Sequence, residues 1–389
     1  MADYVEVTRS GWLDRIAKSI AGTLFGLLLF LGSFALLWWN EGKIDLSKVA
    51  QTALEVNAEK EAPAGAEGSL VCISGIVSSG ESLDDGLFLK TGNYITIHRE
   101  AEVYAWVEKK NSETHKDSAG GGETTTTTYN YEKKWVSSAD NSNEFKKPEG
   151  HDNSQAMDRL VQSEVKTVPE VKMGLYTIQT DSLDLPGTET IKDLKNDVEL
   201  VSVGDNAAAH INGQYISIRK TKSDSAIPLI GDERVSYSVL KADFKGSAFG
   251  KLNGSGLDTF MVIAKGGDAL KNNDRLFRIF KGDKASAVAT LHGEFVFWLW
   301  ILRLIGFLMM WIGLAMIFDP ISKVLDIVGF IGSMSRFLIN TLLFAVAFAL
   351  SLVTIIVAAI AHSVVVLAVV IPALLLGLVF FIKSRKKNS

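Results

Sequence analysis

Six histidines and a single cysteine are the residues of this 389-residue sequence from which nucleophilic or metal chemistry would start. His98, His115, His151, His210, His292 and His362 show no His-x-x-x-His or His-Glu-x-x-His spacing, which would set two zinc ligands on one helix face. No metal or cofactor is expected. Cys72 lies in the apolar run from Ser69 to Ser78, where a buried, inert thiol is expected, and a lone cysteine excludes an internal disulfide. Neither a Gly-x-Ser-x-Gly elbow nor a Walker-type loop occurs, and Gly120-Gly-Gly122 runs into five threonines instead of Lys-Ser/Thr and a helix. His151-Asp152 is the pair best suited to acid–base work, because an imidazole beside a carboxylate can act as a base. Adjacent side chains often point apart, however, and the flanking Gly150 and Asn153 read as a turn held by a structural hydrogen bond. The sequence therefore predicts no enzyme.

Arg303 is the other residue that stands out, as the one charge in an apolar stretch from Phe295 to Phe318. A charge inside the membrane can line a pore or pair across a bundle, and one within about two turns of the surface can snorkel. Snorkelling or a structural pair is the expectation. Lys and Arg total 40 against 44 Asp and Glu, a net charge of -4 that gives no footprint for nucleic acid. The 47% hydrophobic content is unevenly placed, with apolar blocks near the start and after about residue 295.

Those blocks predict four membrane-spanning helices at residues 19–39, 295–318, 337–361 and 363–382. The first carries no charge from Ser19 to Trp39, and its roughly 21 residues suffice to cross about 30 Å of hydrocarbon. It ends in Trp38, Trp39, Asn40 and Glu41, not in a small-residue cleavage site, so it reads as an uncleaved anchor. The second is expected to stop at Asp319-Pro320. From Phe337 to Ile382 no Asp, Glu, Lys or Arg occurs, about twice what one helix needs, and a turn at Ala361-His-Ser363 divides it. Pro372 is expected to kink the last helix. Between the second and third spans, residues 319–336 read as an amphipathic connector.

Lys and Arg fix the orientation. Arg9, Arg15 and Lys18 precede the first span, Lys323 and Arg336 separate the second and third, and Lys383, Arg385, Lys386 and Lys387 follow the fourth. These segments share one face only with four spans, so residues 1–18 and 383–389 are expected in the cytoplasm and residues 40–294 outside it. The ending Lys386-Lys387-Asn388-Ser389 is similar to a dilysine retrieval signal of the endoplasmic reticulum, and it equally fits plain positive-inside anchoring.

Residues 40–294 predict a β-rich (α+β) extracytoplasmic domain. Short runs rich in β-branched and aromatic residues occupy 69–78, 94–98, 102–108, 129–136, 168–179, 198–203, 215–219, 234–240 and 258–264. Val103, Ala105 and Val107 alternate with Tyr104, Trp106 and Glu108 as a two-faced strand requires. The polar stretch from Lys109 to Thr128 reads as a long, flexible hairpin tip. Segments 69–136 and 198–264 share a glycine-punctuated strand pattern, which leaves a duplicated module open.

The residues Tyr104, Trp106 and Glu108, then Tyr129, Tyr131 and Trp135, Phe145, and Gly150-His151 with Met157 form a pattern that resembles the transmembrane protein 43 family, also called LUMA. Asn40-Glu-Gly42, Gly231-Asp232-Glu-Arg234 and Leu302-Arg-Leu-Ile-Gly306 extend the resemblance over nearly the whole chain. The resemblance implies a four-span, self-associating protein with a large luminal domain. Animal members resemble scaffolds of the endoplasmic reticulum and inner nuclear membrane, with lamins and emerin-type partners; bacterial relatives would sit in an inner membrane without a lamina. Asn153-Ser154 departs from an Asn-Pro of the animal pattern, as does the Gly/Thr hairpin tip.

The expected function is a non-enzymatic membrane scaffold. Its expected partners are membrane lipids, further copies of itself and other membrane proteins. A channel or transporter is the rival, although the third and fourth spans offer only scattered polar residues such as Asn340, Thr341, Ser351 and Thr354. A membrane-bound hydrolase around His151 is the third class.

Overall fold

A computed structural model describes residues 4–116, 123–204, 207–220, 227–262, 274–325 and 332–362; within 12–20, 321–325 and 332–337 the backbone alone is described. Two sheets and a helical bundle make up the structure. The first sheet runs from edge to edge as β1 (Tyr4–Ser10), β5 (Glu123–Val136), β4 (Tyr94–Lys116), β12 (Glu233–Lys241), β11 (Tyr215–Arg219) and β10 (Ala208–Asn212). To it β6 (Glu164–Thr167) adds on β4 and β9 (Glu189–Thr190) on β12. The second sheet is β14 (Gly256–Asp258), β13 (Phe244–Asn253), β3 (Leu70–Ser79), β7 (Glu170–Met173) and β8 (Tyr176–Gln179). There β17 (Arg278–Lys281) joins β13, and β2 (Leu54–Asn57) lies parallel to β3. A separate ribbon pairs β15 (Phe260–Val262) with β16 (Asp274–Leu276).

Alternation explains why these strands form. In β12, Val235, Tyr237 and Val239 are buried while Arg234, Ser236 and Ser238 between them are half-buried, the period-2 pattern of a sheet with one core face. The sheets meet through Ile95 and Leu240 of the first and Val71, Ile73, Val77 and Ala248 of the second. The other face of the first sheet is covered by two loops that contribute Phe88, Leu89, Leu194 and Val198. Segment 198–203, expected as a strand, is therefore part of a loop whose apolar side chains cap a sheet. Segment 168–179 splits into β7 and β8 around Gly174, whose φ of +56° suits a tight turn. Segment 258–264 likewise divides between β14 and β15.

The helices are α1 (Trp12–Glu41), α2 (Leu46–Gln51), α3 (Ser154–Met157), α4 (Lys284–Leu325) and α5 (Gly332–His362). Three described helical segments are long and apolar enough to cross a membrane: Ala21–Gln51, Lys284–Pro320 and Leu338–His362. The expected fourth span and the basic tail lie outside the described residues, as does 326–331 of the connector. Pro320 does not end the helix that carries the second apolar stretch. The helix continues through it to Leu325, so part of the connector is an extension of α4.

α1 and α4 pack so closely that a Cβ on Gly26 would come within 2.6 Å of the Met316 Cβ, and one on Gly313 within 2.7 Å of the Phe30 amide nitrogen. Small residues at such crossings let helix backbones approach where lipid supplies no hydrophobic drive. Where the bundle meets the domain, α2, the turn after it and the start of α4 bury Ala50, Ala53, Ala287 and Leu291 against Leu70, Cys72, Phe249 and Phe280. The second sheet is thereby seated on the bundle.

Two features lie outside the sequence-based expectations. The polar stretch 109–128 is mostly strand: β4 continues to Lys116 and β5 begins at Glu123, leaving only 117–122 outside the described residues. From Tyr104 to Lys116 this arm extends over roughly 44 Å at about 3.4 Å per residue. It is held by its hydrogen-bond ladder and by hydroxyl pairs such as Ser112–Thr127 at 3.1 Å and Thr114–Thr125 at 3.0 Å. In addition, β1 precedes α1 in sequence yet pairs antiparallel with β5, from Tyr4↔Tyr129 to Ser10↔Glu123. The 30 residues of α1 measure about 45 Å at 1.5 Å per residue, so helix and arm have matched lengths and β1 joins their far ends.

Candidate functional site: an aromatic clasp at the root of the arm

Beyond Val103, strand β4 loses its neighbour β12, and one backbone edge needs other partners. The turn before β12 supplies the first. Tyr104 N donates to Asp232 O at 2.8 Å and Gly231 N donates to Tyr104 O at 2.9 Å, with Gly231 at a φ of +93° that favours glycine. Asn153 supplies the next: its Oδ1 accepts from Trp106 N at 2.8 Å, and its Nδ2 donates to Trp106 O at 2.9 Å and to Asp140 O at 3.0 Å. A buried side-chain amide thus stands in for a neighbouring strand. Sequence reasoning did not single out Asn153 as a site residue; the only signal was its place in the Gly150-His-Asp-Asn turn.

This anchoring folds residues 137–157 around the strand edge and lays His151 on the face opposite buried Val103 and Ala105. The ring stacks on Tyr131 with centroids 3.9 Å apart and meets Trp106 edge-on at 4.8 Å, while Nδ1 lies 2.9 Å from the Lys147 carbonyl. Phe145 packs against Tyr131 at 5.6 Å. Tyr131 donates its hydroxyl to Glu108 at 2.6 Å, and Glu108 also accepts the Lys146 amide at 2.7 Å. Asp152 turns away. Its carboxylate caps Ser154, and hydrogen bonds from the Ser154 amide and then its hydroxyl hold it below the usual carboxylate range. The tempting His151-Asp152 pair is therefore spent on two separate structural contacts.

Cations alternate with aromatics along the same face. Arg234 lies between the rings of Trp135 at 4.7 Å and Tyr215 at 4.2 Å and pairs with Glu102 at 2.6 Å. Trp135 in turn packs on Tyr104 at 5.2 Å, and Lys133 lies over Trp106 at 4.7 Å. Tyr129 bonds Glu6 of β1 and packs against Tyr4 at 5.8 Å. Of the expected motif residues only Met157 stands apart from the clasp, exposed at the end of α3. Asn153→Ala would orphan one amide and two carbonyls at once. Thermal unfolding should report a loss on the order of 3 kcal/mol, with Asn153→Asp partly retaining stability because one acceptor survives.

A second cluster ties the bundle together. Glu41 at the end of α1 grips Arg303 of α4 with two bonds of 2.7 Å, and the guanidinium lies 4.9 Å from the Trp300 ring centroid. Asn40 donates to Leu299 O at 3.1 Å, and Gly42 leaves room for His362, whose ring also meets Trp38 at 5.1 Å. His362 at the end of α5 is thus level with the domain end of α1. Ser351 and Thr354, among the polar residues of the third span, bond carbonyls of their own helix at 2.9 and 2.7 Å. Among the described residues no group of three or more His, Cys, Asp or Glu is placed to hold a metal.

The transmembrane protein 43 family profile matches residues 103–364, a stretch that begins at the clasp and ends just past His362. The chain is 28% identical over 375 residues to the Homo sapiens protein named Transmembrane protein 43, covering 91% of this chain and 88% of the relative. It is 27% identical over 273 residues to a Drosophila melanogaster Transmembrane protein 43 homolog, covering 67% and 66% of the two chains. No solved structure matches it.

Proposed function

Since the chain belongs to the transmembrane protein 43 family, we propose that it is a non-enzymatic membrane scaffold that self-associates and organises other membrane proteins through its β-rich domain. The observation that carries this reading is the arm: β5 accepts an extended strand over seven paired residues, on a ribbon that projects beyond the packed core. An edge able to take one strand can take another, with main-chain bonds giving affinity and the alternate side chains selectivity. The clasp supports the same reading, because its aromatic and charged groups fix the root of the arm instead of converging on a reacting atom.

The four-span arrangement, with both termini cytoplasmic and the domain on the opposite face, belongs to this proposal. It has a structural consequence. With α1 across the bilayer, β1 and the domain stand on opposite faces, and an open polar ribbon cannot lie in hydrocarbon with unpaired backbone edges. Insertion of α1 therefore opens the β1–β5 ladder and frees the edge from Glu123 to Tyr129 on the domain side. In a eukaryote the host membrane would be the endoplasmic reticulum or inner nuclear membrane, and in a bacterium the inner membrane. A photoreactive residue at Thr126 in reconstituted full-length protein should give an adduct between two copies, whereas the same probe at Glu67, far from the arm, should not. Protein that stays monomeric and forms no adduct at Thr126 would overturn the self-association reading.

A further inference from the structure

Where the bundle meets the domain, a cavity of ≈ 350 Å³ opens between the end of α1, the link to α2, the start of α4 and β16. Its size is that of a small-ligand pocket. Trp39, Phe295 and Trp298 form an apolar wall, and Lys43, Asp274 and Glu294 supply its charges. The charges are not equivalent. Glu294 is already clamped by Arg278 through bonds of 2.7 and 2.8 Å. Lys43 is half-buried with its ammonium 4.5 Å from the Trp39 ring centroid, and among the described residues it has no carboxylate at ion-pairing distance. Asp274 acts on it only at longer range and is itself half-buried. Asp274 accepts the Arg275 amide at 2.9 Å, and among the described residues the site thus offers one cation and one anion, separated, with neither held by an opposite charge at ion-pairing distance.

Its level in the molecule identifies the solvent that reaches it. The apolar stretch of α1 ends at Trp38 and Trp39, that of α4 begins near Phe295, and Phe297, Trp298 and Trp300 are exposed on the helix surface. Exposed indoles at the ends of apolar helices mark the headgroup layer. A pocket open at that depth faces lipid headgroups, and its apolar wall continues onto the exposed face of α4.

We propose that this cavity binds the headgroup of an amine-bearing glycerophospholipid. The phosphate faces Lys43, the ammonium faces Asp274, and the glycerol and upper acyl chains lie on Phe295 and Trp298. A free phosphate would satisfy Lys43 but leave Asp274 and the aromatic wall unused. The site is separate from the arm and does not depend on self-association.

Full-length protein, delipidated in mild detergent and then supplied with phosphatidylethanolamine, phosphatidylglycerol or inorganic phosphate, is read by native mass spectrometry. The parent protein should retain one phosphatidylethanolamine per chain, and inorganic phosphate should not displace it. Lys43→Gln should reduce retention about tenfold and Lys43→Arg should preserve it. Asp274→Asn should abolish the preference for phosphatidylethanolamine over phosphatidylglycerol while leaving phospholipid bound. Equal retention by the parent and Lys43→Gln, displacement by inorganic phosphate, or an unchanged preference in Asp274→Asn would each overturn the proposal.

Discussion

Replacing Asp85 with alanine should destabilise the domain by about 3–5 kcal/mol, the range found when one partner of a buried ion pair is removed. Asp85 is buried on a loop beneath the first sheet, and its carboxylate serves four donors. Leu87 N and Leu89 N reach one oxygen at 3.1 and 2.9 Å, while Arg99 and the Tyr237 hydroxyl reach the other at 2.9 and 2.6 Å. Alanine leaves two amides and a phenol without an acceptor and strips Arg99 of its buried partner. Arg99 keeps one carboxylate, Glu164 at 2.7 Å on the more exposed side, and its bonds to the Gln162 and Asp85 carbonyls at 3.0 and 3.2 Å. Burial, and then the neighbouring carboxylate, push the Tyr237 hydroxyl above its ordinary range, which favours its protonated, donating form. In a thermal melt of the detergent-solubilised protein the transition should fall on the order of 10 °C. Asp85→Asn, which keeps an acceptor for the two amides, should fall less. A loss under about 1 kcal/mol for Asp85→Ala would mean that Glu164 and water compensate.

Gly313→Leu should have the second large effect, this time in the bundle. A Cβ at Gly313 would lie 2.7 Å from the Phe30 amide nitrogen and 2.8 Å from the Gly26 carbonyl oxygen, both backbone atoms that no rotamer change can move. The helices must separate. The neighbouring contacts then stretch together, including Thr23 to Met316 O at 3.3 Å and the Glu41–Arg303 pair. Overpacking in a close-packed site costs about 1–3 kcal/mol and more where backbone must shift. The measurement is protease resistance of the bundle in detergent, expected to collapse in Gly313→Leu while the domain still melts cooperatively. Gly293→Leu is the matched control, since nothing lies within 4 Å of a Cβ there and leucine is the better helix former. Equal resistance of the two variants would contradict the close crossing.

Parts of this architecture were legible because local sequence encodes them. Apolar length pointed to the three described helices long and apolar enough to cross a membrane, and the alternation around Val103 and Ala105 pointed to a strand with one buried face. Other parts depend on contacts distant in sequence. The outer arm has little core to face, so its polar residues carry no amphipathic signal, and Thr124 to Thr128 read as a tip although threonine favours strands. Strand β1 was not expected at all, because what makes residues 4–10 a strand is a partner more than a hundred residues away in sequence. Pro320 read as a stop, yet helix α4 runs through it, as neighbouring helices in a bundle allow. At the clasp the aromatic motif was visible, whereas Asn153 was not, since an amide that replaces a strand neighbour looks like any loop asparagine.

In the proposed topology α1 crosses the bilayer and separates residues 4–10 from the domain whose sheet they can join. Cys72 is buried and burial pushes its thiol up to about 11, so it should stay silent to maleimides and leave single introduced cysteines readable. Val7→Cys and Ser112→Cys, both at exposed positions, are placed in sealed vesicles with the domain face outward and treated with a membrane-impermeant maleimide. Ser112→Cys should label at once and Val7→Cys only after permeabilisation. Labelling of both from the outside would show that the ladder stays closed and that α1 does not cross.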